Sequence, residues 1–347
     1  MIEAFRVLYF ATIRTLPPGT ETKAVELAAT LLDKFKGTLI GCAVGNALGM
    51  PVEGLGRDDI ARKYGSVTDF IDERFGAGRV TDDTQMTVTL AQSIIELGKF
   101  DKGHAGFKFG RWIDASDRGV KEARGAGEAC ETASRRLFEG VSHDESGLTS
   151  AGCGAAMRAA PIGLRYYADR VSLYRCSVDQ ALITHTDPGA VAGSAAMAFA
   201  VAAGIGDGGD LDRSRLAAAV GAYVSRIDSA MSSKIAGLAD YLDASPEEGF
   251  AYTGTGCVAV ETVPGALFAF LRSPYDIEET IVAAVNAGGD TDSLGAMAGA
   301  VAGAFNGASA IPERWKNGVE GRDYLESIAY RLYTLTPAWK PRSRPLV

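Results

Sequence analysis

Only three histidines occur in the sequence, and no C-x-x-C pair. These shortages remove the usual donors of a zinc site. The five cysteines (Cys42, Cys130, Cys153, Cys176 and Cys257) are odd in number and scattered, as reduced thiols are, so a cytoplasmic setting is expected. No glycine-rich stretch ends in G-K-[ST], which excludes a P-loop. Gly254-Thr255-Gly256 fits only part of G-x-G-x-x-G and lies in no βαβ pattern, so a dinucleotide fold is set aside. Period-two alternation is scarce, and no internal repeat is visible. Positive charge is in deficit: 35 basic against 43 acidic residues give a net charge of -8, so no nucleic-acid partner is expected. Long hydrophobic runs are missing too. The richest, Gly189 to Ile205, is mostly Ala and Gly and reads as a buried helix, with no membrane partner. Glu3, Arg6 and Arg14 interrupt the first apolar residues, which argues against a signal peptide.

What the chain has in quantity is apolar and small residues, with 47% hydrophobic content and 42 glycines. The glycines sit beside alanines in helical patterns, as from Ala296 to Ala304, and small residues let helix backbones approach closely. The expected fold is all-α, as one α-helical domain over residues 31–347 preceded by an N-terminal arm over 1–30. Pro17-Pro18-Gly19 divides that arm into an apolar piece and a helical piece from about Glu21. A core helix is expected from about Asp33 to Gly49, with Phe35, Leu39, Ala43 and Ala47 inward. Further helical patterns end near Arg111-Trp112-Ile113 and span Leu211 to Ala244, where Asp212 is a candidate cap. The proline-rich tail from Thr336 reads as extended surface chain.

Two short acidic stretches dominate the chemistry: Thr81-Asp82-Asp83-Thr84 and Asp290-Thr291-Asp292-Ser293. Each follows glycine and opens an apolar helical pattern. The first predicts Met86, Leu90, Ile94 and Leu97 inward; the second Leu294, Met297, Val301 and Phe305, stopping at Gly307. The plain reading of each stretch is an N-cap with acid in the first turn. A cap needs one oxygen, however, and adjacent carboxylates repel unless a cation lies between them. Oxygen-only donors suit Mg²⁺, Mn²⁺ or Ca²⁺. If the two helix starts meet, four carboxylates could hold two ions and position a water for hydrolysis. Gly125-Ala126-Gly127 and the loop from Ser150 to Gly154 could present N–H groups to phosphate, with Arg158 as a loop anchor. Tyr252 suits either a cleft or the core, while His104 and His143 lie in polar surroundings and carry no assigned role.

The two acidic stretches resemble the metal motifs of the ADP-ribosylglycohydrolase family. Three further segments resemble that family in the same order: Gly37 to Glu53 (GTLIGCAVGNALGMPVE), Ser150 to Pro161 (SAGCGAAMRAAP) and Thr184-His185-Thr186-Asp187-Pro188. The resemblance covers roughly residues 33–335. It implies a compact orthogonal multi-helix hydrolase that removes ADP-ribose from a modified protein side chain, arginine foremost. It implies two Mg²⁺ (or Mn²⁺) held by Thr81, Asp82, Asp83, Asp290, Asp292 and Ser293. Catalytic roles would fall to Glu53, Asp83, Asp117 and Asp292, with Glu53 or a metal-bound carboxylate as base. Ligand contacts would come from Gly119, Gly152, Cys153, Gly154, Met157 and His185. Asp117-Arg118-Gly119 reads otherwise as a turn. Two positions depart from the family pattern: Asn46 stands where Asp is usual, and Cys153 where Asn is common. Serine-linked ADP-ribose, O-acetyl-ADP-ribose, a metal-dependent phosphoesterase and a non-catalytic binder remain open. Some family members carry an N-terminal extension and act as immunity proteins against an ADP-ribosyltransferase toxin. The apolar arm, with Phe5, Leu8, Tyr9 and Phe10, admits that partner.

Overall fold

A computed structural model of the protein describes residues 20–119, 122–206 and 211–336, with side chains from Thr30 onward. The apolar piece of the arm and the tail after Thr336 lie outside the described residues. Among those described there are 17 α-helices and no strand, only isolated bridges at Leu148–His185 and Gly152–Val258. In chain order they are α1 (Thr20–Gly49), α2 (Arg57–Tyr64), α3 (Asp82–Leu97), α4 (Lys102–Asp117), α5 (Glu128–Phe138) and α6 (Gly154–Met157). Next come α7 (Ala160–Tyr166), α8 (Arg170–Leu182), α9 (Pro188–Gly206), α10 (Arg213–Val224), α11 (Ser229–Ala236) and α12 (Pro246–Thr253). The last are α13 (Ala259–Arg272), α14 (Ile277–Val285), α15 (Thr291–Asn306), α16 (Glu313–Gly318) and α17 (Arg322–Leu335). The fold is thus all-α, as expected.

The closest packing in the molecule joins α1 to α15, which run antiparallel. Gly37, Gly41, Gly45 and Gly49 lie four residues apart on one face of α1. They meet Gly303, Gly299, Gly295 and Thr291 of α15 in reverse order. A Cβ on Gly37 would lie 2.5 Å from the Gly303 carbonyl oxygen, and one on Gly41, Gly45 or Gly49 closer still to its partner's. The backbones therefore touch with no side chain between them, and only one register lets every glycine face a bare backbone. The Thr291 hydroxyl closes the row, donating to the Gly49 carbonyl at 2.8 Å.

Helix α9 is the run the sequence marks as most apolar. It is long and apolar enough to span a membrane by composition, yet 89% of its apolar window is buried within the fold. Helices α8, α10, α13 and α15 pack around it. Expected inward residues of α3 and α15, including Met86, Leu90, Ile94, Leu294, Met297 and Val301, are buried, and Phe305 is partly buried.

Three expectations need correction. Leu97 is 45% exposed, because it ends α3 just before Gly98 turns the chain with φ 71°. Helix α4 continues past Ile113 to Asp117, its last turn held by the Arg118–Asp114 ion pair at 2.7 Å. The core helix α1 starts at Thr20, well before the expected start near Asp33. The helical pattern from Leu211 to Ala244 holds as α10 and α11, and Asp228 caps α11 by accepting from the Met231 N–H. Asp212 does cap α10, accepting from the Arg215 N–H at 2.9 Å.

Gly45→Ala or Gly299→Ala should force α1 from α15. Such overpacking against rigid backbone costs about 3 kcal/mol or more, and urea denaturation should show that loss with Asp82 and Asp290 unaltered. A loss under about 0.5 kcal/mol would mean that the contact is softer than its geometry.

Candidate functional site

The α1–α15 register sets the end of one helix against the start of the other. Helix α1 ends at Gly49, and a single turn over Met50–Val52 leads to Glu53. Helix α15 starts just after Asp290. Backbone bonds tie the two approaches together: Gly54 N–H to the Gly289 carbonyl at 2.8 Å, Gly289 N–H to the Leu55 carbonyl at 2.9 Å, and Asp290 N–H to the Thr255 carbonyl at 2.8 Å. Gly289 has φ 76° and backs directly onto Thr255, so a side chain there would be excluded by both strain and space. As a result, carboxylate oxygens of Glu53, Asp290 and Asp292 lie within 4.8 Å of one another.

The first acidic stretch is brought in by Asn46, which is fully buried on α1. Its Oδ1 accepts from the Thr81 N–H at 2.8 Å and the Thr84 hydroxyl at 2.9 Å. Its Nδ2 donates to Thr81 Oγ1 at 2.6 Å and Asp83 Oδ2 at 3.2 Å. An amide does here what a carboxylate could not, donating to Asp83 while accepting from Thr81. Asn46 therefore holds the helix junction together without placing a further negative charge beside Asp83. Thr81 Oγ1 lies 3.0 Å from both Asp83 Oδ2 and Asp292 Oδ2, linking the two acidic stretches directly.

Neither stretch acts as a cap through its side chain. Thr81 and Asp290 occupy the N-cap positions of α3 and α15, and neither side chain bonds the helix N–H groups. By contrast, Asp101, Asp169, Asp212, Asp228, Ser245 and Asp276 all cap their helices with a side-chain oxygen. In the two exceptions the oxygens turn to the junction instead. Asp82, Asp83, Asp290 and Asp292 are each at most 9% exposed. Burial, then the neighbouring charge of Asp83, raises Asp82 well above the usual carboxylate range. Burial and then Asp290 lift Asp83 from 3.8 to about 7, and burial followed by Asp83 and Asp290 raises Asp292.

This set fits hard divalent cations. It offers carboxylate and hydroxyl oxygens crowded together, and Asp83 Oδ1 is buried with no hydrogen-bond partner, an open acceptor in a dry junction. Asp82, Asp83, Asp290 and Asp292, with Glu53 and the hydroxyls of Thr81 and Ser293, are the groups that would hold them.

A cavity of about 240 Å³ opens beside the carboxylates. Glu53, Asp82, Asp83, Asp290, Asp292 and Ser293 border it on one side; Gly152, Cys153, Gly154, Met157 and His185 border it on the other. Thr81 is fully buried behind this wall. Cys153 Sγ lies 3.2 Å from Asp290 Oδ2 and 3.5 Å from Ser293 Oγ, and burial pushes its thiol well above the usual range. Burial, with the charge of Arg158, lowers His185 to about 3, which keeps the imidazole neutral. His185 is 2.8 Å from the Thr184 hydroxyl through Nδ1.

Asp117 and Gly119 do not border the cavity. The Asp117 carboxylate pairs with Arg135 on α5, and Gly119 is exposed with φ 66°. Tyr252 stacks on Tyr241 and donates to the Lys234 carbonyl, away from the cavity. His104 and His143 also lie elsewhere, on Ser93 and Asp144.

Sequence reasoning missed Glu128, Cys130 and Cys257, which also line the cavity. Glu128 follows the Gly125–Gly127 loop directly, so the loop was its signal; Cys130 and Cys257 carried none. Arg74 was missed as well. It has φ 55°, the one positive value outside glycine among the described residues, and its Nη1 donates to Glu53 at 2.5 Å and to the Met50 carbonyl at 2.8 Å.

Because Asp82, Asp83 and Asp292 titrate above the range they would have unfolded, the metal-free fold retains protons that the unfolded chain has released. The cost these three groups impose on the fold is therefore least in acid and grows as pH rises from 3.8 through about 7. A hard divalent cation held by these oxygens would take the place of those protons. Thermal unfolding should show a larger gain in Tm on adding Mg²⁺ at about pH 8 than at about pH 6. Asp292→Asn should raise the Tm in EDTA at the higher pH and shrink the Mg²⁺ gain. An equal gain at both pH values would contradict the burial of unpaired charge.

The model of the family described as ADP-ribosylglycohydrolase matches residues 27–342. A protein of Archaeoglobus fulgidus is 37% identical over 306 residues, covering 87% of this chain and 97% of that one. The ADP-ribosylhydrolase ARH3 of Homo sapiens is 29% identical, covering 88% and 94%. The ADP-ribosylarginine hydrolase Tri1 of Pseudomonas putida is 30% identical, covering 88% and 79%. Among solved structures, an ADP-ribosylglycohydrolase-related protein complex superposes with a TM-score of 0.74 at 28% identity, covering 89% of this chain and 100% of the other. With the family match spanning α1 to α17 and both acidic stretches, the chain belongs to the ADP-ribosylglycohydrolase family.

Proposed function

We propose that this chain is a cytoplasmic, two-ion ADP-ribosyl hydrolase that frees ADP-ribose from a modified protein side chain, with arginine the first choice of linkage. The observation that carries the reading is the meeting of Glu53, Asp290 and Asp292 on one wall of a cavity whose other wall is the Gly152–Gly154 loop and His185. When bound, Mg²⁺ or Mn²⁺ supplies positive charge for the ribose hydroxyls and for the transition state. Glu53 has a side chain 34% exposed, so its carboxylate can take a proton from water while Arg74 holds it at the cavity rim. Water oxygen then bonds to the ribose anomeric carbon, the bond to the side-chain nitrogen breaks, and that nitrogen regains a proton. The Gly152–Gly154 loop carries no side chain at either glycine, so a diphosphate can approach its backbone. A neutral His185 can hold a ribose or phosphate oxygen without bringing a second charge.

Arginine linkage is supported by the name of the Pseudomonas putida relative. Asp117 bears on it in two ways. Its carboxylate holds a guanidinium, which suits arginine, but the guanidinium is that of Arg135, which a substrate would have to displace. The second fact favours another linkage, serine or O-acetyl-ADP-ribose. Incubation with arginine- and serine-ADP-ribosylated substrates, in Mg²⁺ or in EDTA, decides it. Free ADP-ribose should appear from the arginine substrate in Mg²⁺ alone, and Asp82→Ala should abolish it. Asp117→Ala should impair the arginine substrate by about 1–3 kcal/mol more than the serine one. AMP as product would make the chain a phosphoesterase, and equal Asp117→Ala losses would confine Asp117 to holding Arg135.

The immunity reading rests on the apolar residues of the arm, Phe5, Leu8, Tyr9 and Phe10. Deleting residues 1–28 should leave hydrolysis intact and abolish tight binding to a cognate ADP-ribosyltransferase. Calorimetry showing unchanged binding after the deletion would remove the arm from that role.

A further inference from the structure

Arg158 is fully buried, and among the described residues no carboxylate lies within ion-pair distance of it. Its guanidinium lies over the Phe109 ring at 4.7 Å and donates in several directions. Nε reaches Gln180 Oε1 at 2.9 Å, Nη1 the Gly154 carbonyl at 3.1 Å, and Nη2 both the Gln180 carbonyl at 3.0 Å and Thr184 Oγ1 at 2.7 Å. A guanidinium never accepts, so Thr184 Oγ1 must be the acceptor in that last bond. Its own hydrogen then needs an acceptor. Thr184 is fully buried, and its other partner is His185 Nδ1 at 2.8 Å. Were Nδ1 protonated, the threonine hydrogen would be stranded in a dry site, at a cost of about 1–3 kcal/mol. The hydroxyl therefore donates to Nδ1, and the ring proton sits on Nε2.

Nε2 is on the cavity side. A Cβ added at Gly152 would lie 3.5 Å from it, and one at Gly154 3.3 Å, so the two absent side chains leave the space in front of it clear. No protein acceptor among the described residues takes its proton.

We infer that Arg158 and Thr184 are positioning residues that fix the direction of hydrogen bonding through His185, making it a neutral Nε2–H donor aimed at an oxygen of the bound ligand. His185 then grips the ligand and takes no part as a base, leaving that work to a carboxylate. The same Arg158 side chain holds the Gly154 carbonyl, so loop and imidazole are set by one guanidinium. That the ligand is ADP-ribose rests on the hydrolase reading above; the position of the proton does not.

Long-range proton–nitrogen NMR of the full-length protein tests this, and with three histidines in the chain the His185 ring is assigned by its loss in His185→Gln. The expected spectrum shows Nδ1 bare and Nε2 protonated, with no ligand present. Thr184→Val should give a mixture of tautomers and weaken ADP-ribose binding, read by calorimetry in Mg²⁺, about tenfold, the order of one lost hydrogen bond. Thr184→Ser should restore both the spectrum and the affinity. A wild-type ring protonated at Nδ1 overturns the inference, as does a Thr184→Val protein that keeps the wild-type spectrum and affinity. If Thr184→Val does not fold, the wild-type and Thr184→Ser spectra still decide. A wild-type protein with the Nε2–H ring but no affinity for ADP-ribose would uphold the positioning and remove the substrate reading instead.

Discussion

The structure depends on a backbone contact. The bare α-carbons of Gly37, Gly41, Gly45 and Gly49 on α1 face the carbonyls of Gly303, Gly299, Gly295 and Thr291 on α15. Bare backbones pack closer than side chains allow, which gains dispersion contact over the whole length of the row. The same closeness removes freedom, because sliding either helix by one residue would drive side chains such as Val44 or Ala296 into the facing carbonyls. The row therefore acts as a ruler. It sets Asn46 and Glu53 at one end of α1 beside Asp290 and Asp292 at the start of α15, although some 240 residues separate them in the chain.

Built on that ruler is an arrangement that opposes folding. Buried carboxylates repel one another, and in the absence of cations only protons can relieve them. Asn46 lessens the strain with an uncharged amide that donates to Asp83. The fold thus maintains a local instability that hard cations would remove, and the well-packed helices around α9 provide the stability to tolerate it. Function and stability oppose each other here through one set of oxygens.

The opposite wall of the cavity uses different physics. Its polar core is one buried cation, Arg158, whose hydrogen bonds go to carbonyls, an amide, a hydroxyl and, more weakly, the sulfurs of Met86 and Cys130. With Cys130, Cys153 and Met157 around it, this wall is largely uncharged toward the cavity, Glu128 apart. An anionic ligand would thus sit between a wall suited to hold cations and one that offers hydrogen-bond donors and space.

Several features were legible from residues alone. The acidic stretches announced themselves because four oxygen-bearing side chains in four residues exceed what a helix cap can use, and the N-cap side chains of α3 and α15 indeed make no capping bond. The four-residue spacing of Gly37, Gly41, Gly45 and Gly49 was equally on view, but spacing on one helix does not name its partner. Which backbone lies against those glycines is a property of the packed pair. The same holds for Asp117, whose pairing with Arg135 depends on α5 lying beside α4, and for Cys130 and Cys257, which reach the cavity only through the turns around them. Composition and local pattern determined the helices, their starts and the chemistry available at them, because those depend on neighbours within one or two turns. Tertiary structure decided which helix ends meet, which carboxylates share a dry space and which proton His185 carries, because those depend on contacts between residues far apart in the chain.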